Sequence, residues 1–293
     1  MENEIQKSNI ICLACGQDKN KQFFEKNGFN IRRCERCLTW FVNPIPTKEQ
    51  IDAVYGSEYF SGATKGFGYV DYDFDKEAMK KVFTQHILDF ERLILGRDMF
   101  DIGAATGYFI LLAKVRGWNV SGIEISKDAS QRARNKGLDI ITGTLSDTNI
   151  QKSFDVVTMW DVIEHMRNPE FEINLVNKIL KPGGLLAINT PDSYSLIARI
   201  LKKRWHLVVP PEHIWYFNKK SLSLLLERNG FKILKRGCVG KKFTIEYILQ
   251  TLYRWQKLSI WKYLLDRVKG KSIGQISIPI NLRDNMYILA KKI

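Results

Sequence analysis

Two glycines and two acids between residues 99 and 125 form the clearest candidate for a ligand site. Residues 99–107 read MFDIGAATG, so an apolar run ends near Asp101, and Gly103 and Gly107 follow four residues apart. Glycine can adopt positive φ in a tight turn and lets a ligand approach the backbone. A helix that begins after Gly107 would offer free N–H groups to a negatively charged group. Glu124, near the end of the next apolar run, could bind both hydroxyls of a ribose.

The spacing of these residues distinguishes two kinds of nucleotide site. Dinucleotide-binding folds prefer Gly-x-Gly-x-x-Gly, which this stretch lacks. The pattern Asp101-x-Gly103-x-x-x-Gly107 followed by Glu124 resembles instead the S-adenosylmethionine site of class I methyltransferases. The resemblance implies that the glycine loop passes the methionine part and that Glu124 binds the ribose. The cofactor-binding candidates in this region are Asp101, Gly103, Ala105 (where the family often has glycine), Gly107, Glu124 and Ile125. The alternative is an ordinary strand–turn–helix without a ligand.

Two cysteine pairs near the N-terminus suit a tetrahedral zinc site. Cys12-x-x-Cys15 and Cys34-x-x-Cys37 are separated by eighteen residues, and each pair can present two sulfurs to one ion. Disulfides are disfavoured in a chain that stays in the cytoplasm, and four reduced cysteines without metal are the alternative. Four thiolates would fill the coordination sphere, so the zinc of this predicted ribbon, residues 1–46, would be structural.

Further candidate residues follow the third and fourth predicted strands, because ligands of open α/β sheets bind beyond the carboxyl ends of the strands. Thr144 follows the third strand, near where the resemblance places the adenine. Residues 160–166 read WDVIEHM and resemble the Glu-x-x-Glu-His stretch of ubiquinone-biosynthesis O-methyltransferases, with Asp161 replacing the first Glu. Trp160 and Asp161 are expected to shape the cofactor pocket. His165 and its acidic neighbours could orient a base or bind a divalent cation, or they could only order this loop.

An acid–histidine pair within residues 210–217 is the candidate for acceptor chemistry. The resemblance to methyltransferases that modify sugars and small metabolites implies an insertion at residues 194–220 that covers the acceptor. An oxygen or carbon acceptor must lose a proton, so His213 is the candidate general base and Glu212 the residue that orients it. The alternative is that His213 only ties the insertion to the body of the protein.

The elements that must position these residues alternate along the chain. Strands are expected at residues 99–102, 119–125, 138–142, 154–160, 185–190, 232–236 and 285–290. Helical stretches between most of them predict an α/β fold with a mainly parallel sheet covered on both faces. The resemblance implies the seven-stranded, Rossmann-like sheet of class I methyltransferases, which ends in an antiparallel hairpin. The methyltransferase domain is expected at residues 75–293, beginning with a helix at residues 75–95.

Local signals predict three further details. Asn168-Pro169 should start a helix. Ser221 should cap a helix over residues 222–229 that stops at Gly230. Cys238, the fifth cysteine, falls in an apolar strand and is expected in the core.

Two other segments allow two interpretations each. Residues 47–74 include an aromatic, glycine-rich run that could be a lid over the substrate or a hinge between ribbon and core. Residues 241–271 carry aromatic residues, leucines and cations at helical spacing. Such a segment suits the surface of an anionic membrane, which residues 200–205 could also touch. Alternatively it packs on the core, as most amphipathic helices do.

Composition and charge limit the functional classes. The 293 residues are 45% hydrophobic, an ordinary share for a globular protein, and 45 basic against 31 acidic residues give a net charge of +14. This balance favours nucleic acid, anionic membrane or phosphorylated substrates. No apolar stretch approaches the ~20 residues that span a bilayer, and the N-terminus lacks a signal-peptide pattern. A cytoplasmic location is therefore expected, with peripheral contact at the inner membrane surface if the basic segment binds lipid.

Together these features predict an S-adenosylmethionine-dependent methyltransferase for an oxygen or carbon of a small or lipid-linked metabolite. A sugar, a quinone or a surface-polysaccharide precursor would suit it. A zinc ribbon and a charge of +14 also suit an RNA methyltransferase, but the fourth strand carries no Asn-Pro-Pro-Tyr type motif. A third reading is a non-catalytic module whose ribbon and basic segment recruit a partner. The intact glycine loop and Glu124 argue against it.

Overall fold

The computed structural model describes residues 10–52, 72–77, 79–280 and 282–293. The aromatic run at residues 55–60, the proposed lid, lies outside these residues. The strands are β1 (Asn20–Lys26), β2 (Phe29–Cys34), β3 (Trp40–Val42), β4 (Asp98–Ile102), β5 (Asn119–Glu124), β6 (Asp139–Thr142), β7 (Phe154–Trp160), β8 (Leu180–Pro191), β9 (Trp215–Tyr216), β10 (Phe231–Cys238), β11 (Lys241–Thr244), β12 (Ser277–Ile280) and β13 (Asn285–Lys292). The helices are α1 (Lys48–Asp52), α2 (Tyr72–Glu77), α3 (Lys80–Leu93), α4 (Tyr108–Val115), α5 (Lys127–Asn135), α6 (Pro169–Ile179), α7 (Leu196–Leu201), α8 (Lys219–Arg228), α9 (Ile245–Gln256) and α10 (Ser259–Val268).

The main sheet has seven strands in the order β10-β13-β8-β7-β4-β5-β6. The five strands β4 to β8 are parallel to one another, whereas β13 is antiparallel to both β8 and β10. The expected α/β fold with its antiparallel hairpin is therefore confirmed. After β6 the chain returns to the opposite side of β4, so the strand order reverses between β4 and β7. The carboxyl ends of these two strands are where such sheets bind ligands.

Alternating side chains of the strands fill two hydrophobic cores, one on each face of the sheet. Phe100 and Val157 belong to the core that also includes the cysteine ribbon and α8, whereas Met99 and Val156 pack with α3 and α4. Successive side chains of a strand point to opposite faces. Because adjacent residues of β4 and β7 are apolar, both faces of the sheet must be covered by other elements, and the two cores show that they are.

The cysteine ribbon and residues 194–220, the predicted acceptor-side insertion, share a second sheet. Its order is β1-β2-β3-β9, so β9, which lies within residues 194–220, pairs with the last strand of the ribbon. Trp40 is opposite Tyr216 and Phe41 is opposite Trp215, in antiparallel register. The rings of Phe41 and Trp215 stack with centroids 5.3 Å apart. The ribbon is thus built into the wall of the insertion.

Residues 241–280 form a small unit beside the main sheet. β11 pairs with β12, and α9 packs against α10. Residues 241–244, within the segment expected to be helical, form a strand, and so do residues 277–280. None of the residues of α10 is buried by the described chain. No helix in the described ranges has the length and apolar character needed to cross a membrane.

Two local expectations are wrong and one is confirmed. Cys238 is exposed, because it ends the edge strand β10, and its Sγ lies 3.0 Å from Nζ of Lys219. Helix α8 begins earlier than predicted, with Asn218 rather than Ser221 as its N-cap. Ser221 instead completes a capping box, in which its Oγ accepts from the Asn218 N–H at 2.9 Å. Asn168 caps α6 as expected, and Pro169 follows it.

Candidate functional site

The turn between β4 and α4 needs its glycines. Gly103 has φ +74°, and Gly107, the N-cap of α4, has φ +80°. A Cβ on Gly103 would lie 2.4 Å from Cγ2 of Val162, and one on Gly107 would lie 2.2 Å from Cδ1 of Leu138. Ala105 also adopts positive φ, +48°, a conformation that glycine adopts without a steric penalty. The turn holds the backbone N–H groups of the α4 N-terminus at the carboxyl edge of the sheet.

Glu124 is held beside this turn by backbone N–H groups. Its Oε2 accepts from the N–H of Ala105 and its Oε1 from the N–H of Ser126, both at 2.8 Å. The side chain is almost fully buried. Burial raises the pKa of Glu124, and the backbone N–H groups act in the opposite direction. Ile125, directly after it, is 45% exposed. A fixed carboxylate next to an open apolar side chain suits the hydroxyls and base of a nucleoside.

Asp101 lies deeper, at the junction of β4 and β7. Thr158 Oγ1 donates to Asp101 Oδ1 at 2.6 Å, and both residues are buried. Burial raises the pKa of Asp101 to about 7, and the neighbouring charge of Glu124 adds to the shift. Thr144 follows β6, where its Oγ1 donates to Asp147 Oδ2 at 2.6 Å. The contact with Thr158 fixes Asp101 beneath the glycine loop, and the contact with Asp147 orders the turn after β6.

Trp160 ends β7 within a cluster of rings. Its ring centroid lies 4.7 Å from that of Phe109, 5.2 Å from that of Phe83 and 5.3 Å from that of His86. Within the part of the chain that is described, its Nε1 has no hydrogen-bond partner. Trp160 therefore ties the loop after β7 to α3 and α4.

Asp161 is fixed by two residues that the sequence analysis missed. Asn189 Nδ2 donates to Asp161 Oδ1 at 2.5 Å, and Lys76 Nζ lies 3.6 Å from Asp161 Oδ2. Asp161 has φ +57°, a conformation that non-glycine residues rarely adopt. Asn189 lies near the carboxyl end of β8, so the strand-end rule could have found it. Lys76 lies in α2, where no motif indicates its role, although its side chain is only 8% exposed.

The fold brings Glu164 and His165 against His213. The rings of His165 and His213 have centroids 4.8 Å apart and cross edge to face. Nδ1 of His165 lies 2.8 Å from the carbonyl oxygen of Glu212, and Nδ1 of His213 lies 2.8 Å from that of Leu207. The backbone of Glu212 thus positions His165, and the carbonyl of Leu207 orients the ring of His213.

Glu164 and His213 of this cluster are buried ionisable groups. Burial raises the pKa of Glu164 well above its ordinary value, and the charges of Asp161 and Glu212 add to the shift. Glu164 Oε2 accepts from Thr190 Oγ1 at 2.8 Å, whereas Oε1 has no hydrogen-bond partner among the described residues. Burial lowers the pKa of His213 to about 3, so its imidazole is neutral near pH 7.

The four paired cysteines converge as the spacing predicts. The Sγ atoms of Cys12 and Cys37 are 3.6 Å apart, and those of Cys15 and Cys34 are 3.5 Å apart. All four potential ligand atoms lie within 4.8 Å of one another and are buried. Tetrahedral zinc with bonds of about 2.3 Å separates its sulfurs by about 3.8 Å. The cluster fits such an ion.

Backbone hydrogen bonds link the ribbon to the histidine cluster. The N–H of Val42, in β3, donates to the carbonyl of Ile214 at 2.9 Å, and the N–H of Ile214 donates to the carbonyl of Glu164 at 2.8 Å. Ile214, the residue directly after His213, therefore links the ribbon to the loop after β7.

Comparison with known proteins agrees with this geometry. A family model described as a methyltransferase domain matches residues 76–236. A probable S-adenosylmethionine-dependent methyltransferase of Mycolicibacterium smegmatis is 28% identical over 157 residues, which cover 52% of this chain and 59% of that protein. A ubiquinone biosynthesis O-methyltransferase of Vibrio atlanticus is 28% identical over 113 residues, 36% of this chain and 48% of that protein. The chain thus spans about half of the length of these relatives.

Solved structures share the fold at low sequence identity. The YcgJ protein of Bacillus subtilis is 14% identical, with a TM-score of 0.52 over 72% of this chain and 98% of that one. A putative methyltransferase of Bacillus halodurans is 17% identical, with a TM-score of 0.50 over 71% and 97%. The matched family region contains the glycine loop, Glu124 and the histidine cluster. The chain belongs to the methyltransferase domain family and has the fold of the class I S-adenosylmethionine-dependent methyltransferases.

Proposed function

We propose that the chain transfers a methyl group from S-adenosylmethionine to an oxygen or carbon of a small or lipid-linked metabolite. The observation that carries this proposal is the position of Glu124. Backbone N–H groups of Ala105 and Ser126, each 2.8 Å away, aim its carboxylate along the edge where the glycine loop meets β5. Each oxygen of a carboxylate has a second lone pair, which remains for the hydroxyls of a ribose.

Each candidate residue has a separate part in holding the cofactor. Glu124 would accept hydrogen bonds from the ribose, with Ile125 and Thr144 on the side of the adenine. Gly103, Ala105 and Gly107 would give the methionine part close access to the backbone, and Asp101 would hold the loop from below. Trp160 and Asp161 would shape the cofactor pocket. When bound, the cofactor supplies a methyl group already activated by its sulfonium, so the protein contributes mainly alignment.

The acceptor proton must leave during transfer, and His213 is the proposed base. Because Nδ1 of its ring faces the carbonyl of Leu207, that nitrogen carries the proton, and Nε2 of the neutral imidazole has the lone pair. Nε2 of His213 would accept the proton of the acceptor O–H or C–H group. The electron pair left on the acceptor would form the bond to the methyl carbon, and the bond from that carbon to sulfur would break and leave S-adenosylhomocysteine. Glu212 would support this geometry through its backbone contact with His165.

We further assign a structural zinc to Cys12, Cys15, Cys34 and Cys37, in a ribbon ending near residue 46 and separate from the transfer chemistry. Four thiolates close the coordination sphere, so no position is open to substrate. Metal analysis of the full chain should find one zinc that is lost in Cys34→Ser. Retention of that zinc in the variant would exclude this assignment.

The proposal also includes a peripheral contact of α10 with an anionic membrane. Ile260 and Tyr263 are each 51% exposed, and Lys262 and Arg267 are exposed on the same helix. Apolar groups among cations suit the headgroup boundary. Lys262→Glu combined with Arg267→Glu should reduce sedimentation of the chain with phosphatidylglycerol vesicles, whereas Lys232→Glu on β10 should not. Equal sedimentation of the wild type, the double variant and Lys232→Glu would contradict the membrane contact.

A panel of acceptors tests the substrate class. S-adenosylhomocysteine formation should be measured with a prenylated phenol in vesicles, a nucleotide sugar and a structured RNA. We expect turnover with one of the first two and loss of that turnover in Glu124→Ala. Turnover with RNA alone, together with binding that weakens steeply as salt rises, would replace the small-acceptor proposal with an RNA methyltransferase.

A further inference from the structure

A polar cluster between α3 and the main sheet consists of His86, Trp160, Asn189 and Tyr287, which are 8%, 7%, 3% and 2% exposed. Eight buried side-chain atoms lack a hydrogen-bond partner in the part of the chain that the structure describes, and five of them belong to this cluster. They are both ring nitrogens of His86, Nε1 of Trp160, Oδ1 of Asn189 and the hydroxyl oxygen of Tyr287. Buried polar groups in proteins are nearly always paired, so these five atoms point to a bound ligand.

Strand register brings three members of the polar cluster into one row. Trp160 of β7 is opposite Asn189 of β8, and Asn189 is opposite Tyr287 of β13. Residues directly opposite each other on neighbouring strands present their side chains on the same face of the sheet. His86 of α3 covers this row, with its ring centroid 4.0 Å from that of Tyr287 and 5.3 Å from that of Trp160. The unpaired atoms therefore belong to a single group built by three strands and one helix.

The polar cluster borders the residues proposed for the cofactor and for the base. Trp160 packs on Phe109 of α4, the helix that follows the glycine loop, with ring centroids 4.7 Å apart. Asn189 Nδ2 donates to Asp161 Oδ1 at 2.5 Å. Burial lowers the pKa of His213, and the charge of Asp161 opposes that shift, so Asp161 lies near the proposed base. A ligand held by the polar cluster would therefore lie next to the proposed site of methyl transfer.

Gly237 of β10 leaves space beside the polar cluster. It continues the row, because it is opposite Tyr287 in the antiparallel pair of β10 and β13. A Cβ on Gly237 would have one heavy atom of the described chain within 4 Å, Cδ1 of Tyr287 at 4.0 Å. The row therefore ends in space that no described side chain fills, on the same face of the sheet as the unpaired atoms.

The chemistry of the unpaired atoms matches hydroxyl groups. Nε1 of Trp160 donates, Oδ1 of Asn189 accepts, and the hydroxyl of Tyr287 can do both. Burial lowers the pKa of His86 to about 4, so its ring is neutral near pH 7 and offers one donor and one acceptor. A hydroxyl group also donates and accepts, and can pair with any of these atoms. A carboxylate or phosphate would lose its water here, and no member of the polar cluster carries a positive charge to compensate.

We propose that the polar cluster binds the methyl acceptor through hydroxyl groups on an uncharged ring. The inference rests on the proposed function and narrows its substrate class, because it excludes acceptors whose reacting ring carries a carboxylate or a phosphate. A sugar and a phenol share the required chemistry, and the experiment distinguishes them. The aromatic rings of the cluster form an apolar wall beside the polar atoms, which suits the ring of such an acceptor.

Calorimetric titration of the full chain with neutral and charged rings tests this proposal. The neutral probes are phenol, catechol and methyl glucoside, and their charged counterparts are 4-hydroxybenzoate, 3,4-dihydroxybenzoate and glucose 1-phosphate. Tyr287→Phe removes one hydroxyl and keeps the ring. Gly237→Val fills the space beside that ring with a side chain that suits a strand. Tyr194→Phe is the matched control, because Tyr194 is 49% exposed and lies outside the polar cluster.

We expect the wild type and Tyr194→Phe to bind a neutral probe at least about 10-fold more tightly than its charged counterpart. Tyr287→Phe should weaken that binding by about 10-fold, and Gly237→Val should abolish it. Absence of binding by all three neutral probes, equal binding of the charged ones, or equal affinity in all four proteins overturns the proposal. Binding of methyl glucoside alone indicates a sugar acceptor, and binding of phenol or catechol alone indicates a phenolic one.

Thermal unfolding of the ligand-free proteins provides a second test. If the Tyr287 hydroxyl serves a ligand, its removal leaves no protein group unpaired, so Tyr287→Phe should melt no lower than the wild type. A lower melting temperature would show that the hydroxyl is bonded within the protein and would contradict its assignment to a ligand.

Calorimetry with S-adenosylmethionine on the same samples separates this inference from the proposed function. Cofactor binding without binding of any neutral probe overturns only the inference. Binding of a neutral probe without cofactor binding leaves the polar cluster as a ligand site and contradicts the proposed function.

Discussion

The side-chain amide of Asn218 donates a 2.8 Å hydrogen bond to the backbone carbonyl of Cys37. One residue is a candidate zinc ligand, and the other caps a helix of the methyltransferase domain, α8. Both are buried. Together with the pairing of β3 and β9, this bond makes the ribbon part of the wall that carries His213. The ribbon therefore supports the segment that carries His213, the proposed acceptor side of the site, rather than standing apart from it.

Replacing Asn218 by Asp should destabilise this junction. Asp remains a good N-cap for α8, but the substitution removes the N–H donor to Cys37 and places a carboxylate oxygen against its carbonyl. The free energy of unfolding in urea should fall by about 1–3 kcal/mol. Asn168→Asp is the control, since Asn168 caps α6 by the same kind of contact and should lose little. An equal change in both variants would mean that the bond to Cys37 contributes nothing.

Loss of the proposed ribbon zinc should loosen the segment that carries His213 but not the proposed cofactor site. Because β9 pairs with β3 and not with the main sheet, Cys34→Ser should lower amide-exchange protection at residues 31–42 and 213–218. Protection of β4 and β5 should change little, and S-adenosylmethionine should bind with similar affinity. Unchanged protection at residues 213–218 in a zinc-free variant would show that the ribbon does not order the insertion.

His86 should make the protein less stable in acid. Its ring stacks on Tyr287 with centroids 4.0 Å apart, and its nitrogens have no hydrogen-bond partner in the described ranges. Burial lowers its pKa from 6.5 to about 4. The unfolded ring gains a proton as pH falls below 6.5, whereas the folded ring does not until about 4. The stability that the neutral ring contributes near pH 7 is therefore lost as the pH falls from 6.5 to about 4. The loss in free energy of unfolding is about 3 kcal/mol at most.

His86→Phe keeps an aromatic ring in this stack and cannot titrate. Urea unfolding from pH 7 to pH 4 should show a shallower loss of stability in this variant than in the wild type. A slope that persists unchanged in His86→Phe would contradict the assignment of the acid sensitivity to His86.

The sequence predicts the main sheet well because each strand is a local apolar run. Met99 and Phe100 are both buried on opposite faces, so β4 is recognisable without knowledge of its neighbours. Glu124 and the glycine loop are likewise predictable, because the turn and the acid lie within one strand–helix–strand unit. The seven-stranded, mainly parallel sheet with its antiparallel end follows from these local patterns and from the family resemblance.

Contacts between distant segments were beyond sequence reasoning. His165 and His213 were proposed separately, and only the fold shows that their rings meet. Lys76 reaches Asp161 from a helix 85 residues earlier in the chain. Cys238 looked like a core residue because its strand is apolar, yet a residue at the end of an edge strand can face solvent. The pairing of β9 with the ribbon involves two adjacent residues, too few to form a recognisable pattern.

Binding of S-adenosylmethionine to the zinc-loaded chain, measured by calorimetry, tests the central claim most directly. Glu124→Ala removes the acceptor of two proposed ribose hydrogen bonds, each worth about 1.5–3 kcal/mol when the partner is charged, so affinity should fall at least about 100-fold. Asp139→Ala, at an exposed position on the adjacent strand β6, should bind like the wild type. No binding by the folded wild type, or equal binding by Glu124→Ala, would contradict the assignment of the cofactor site.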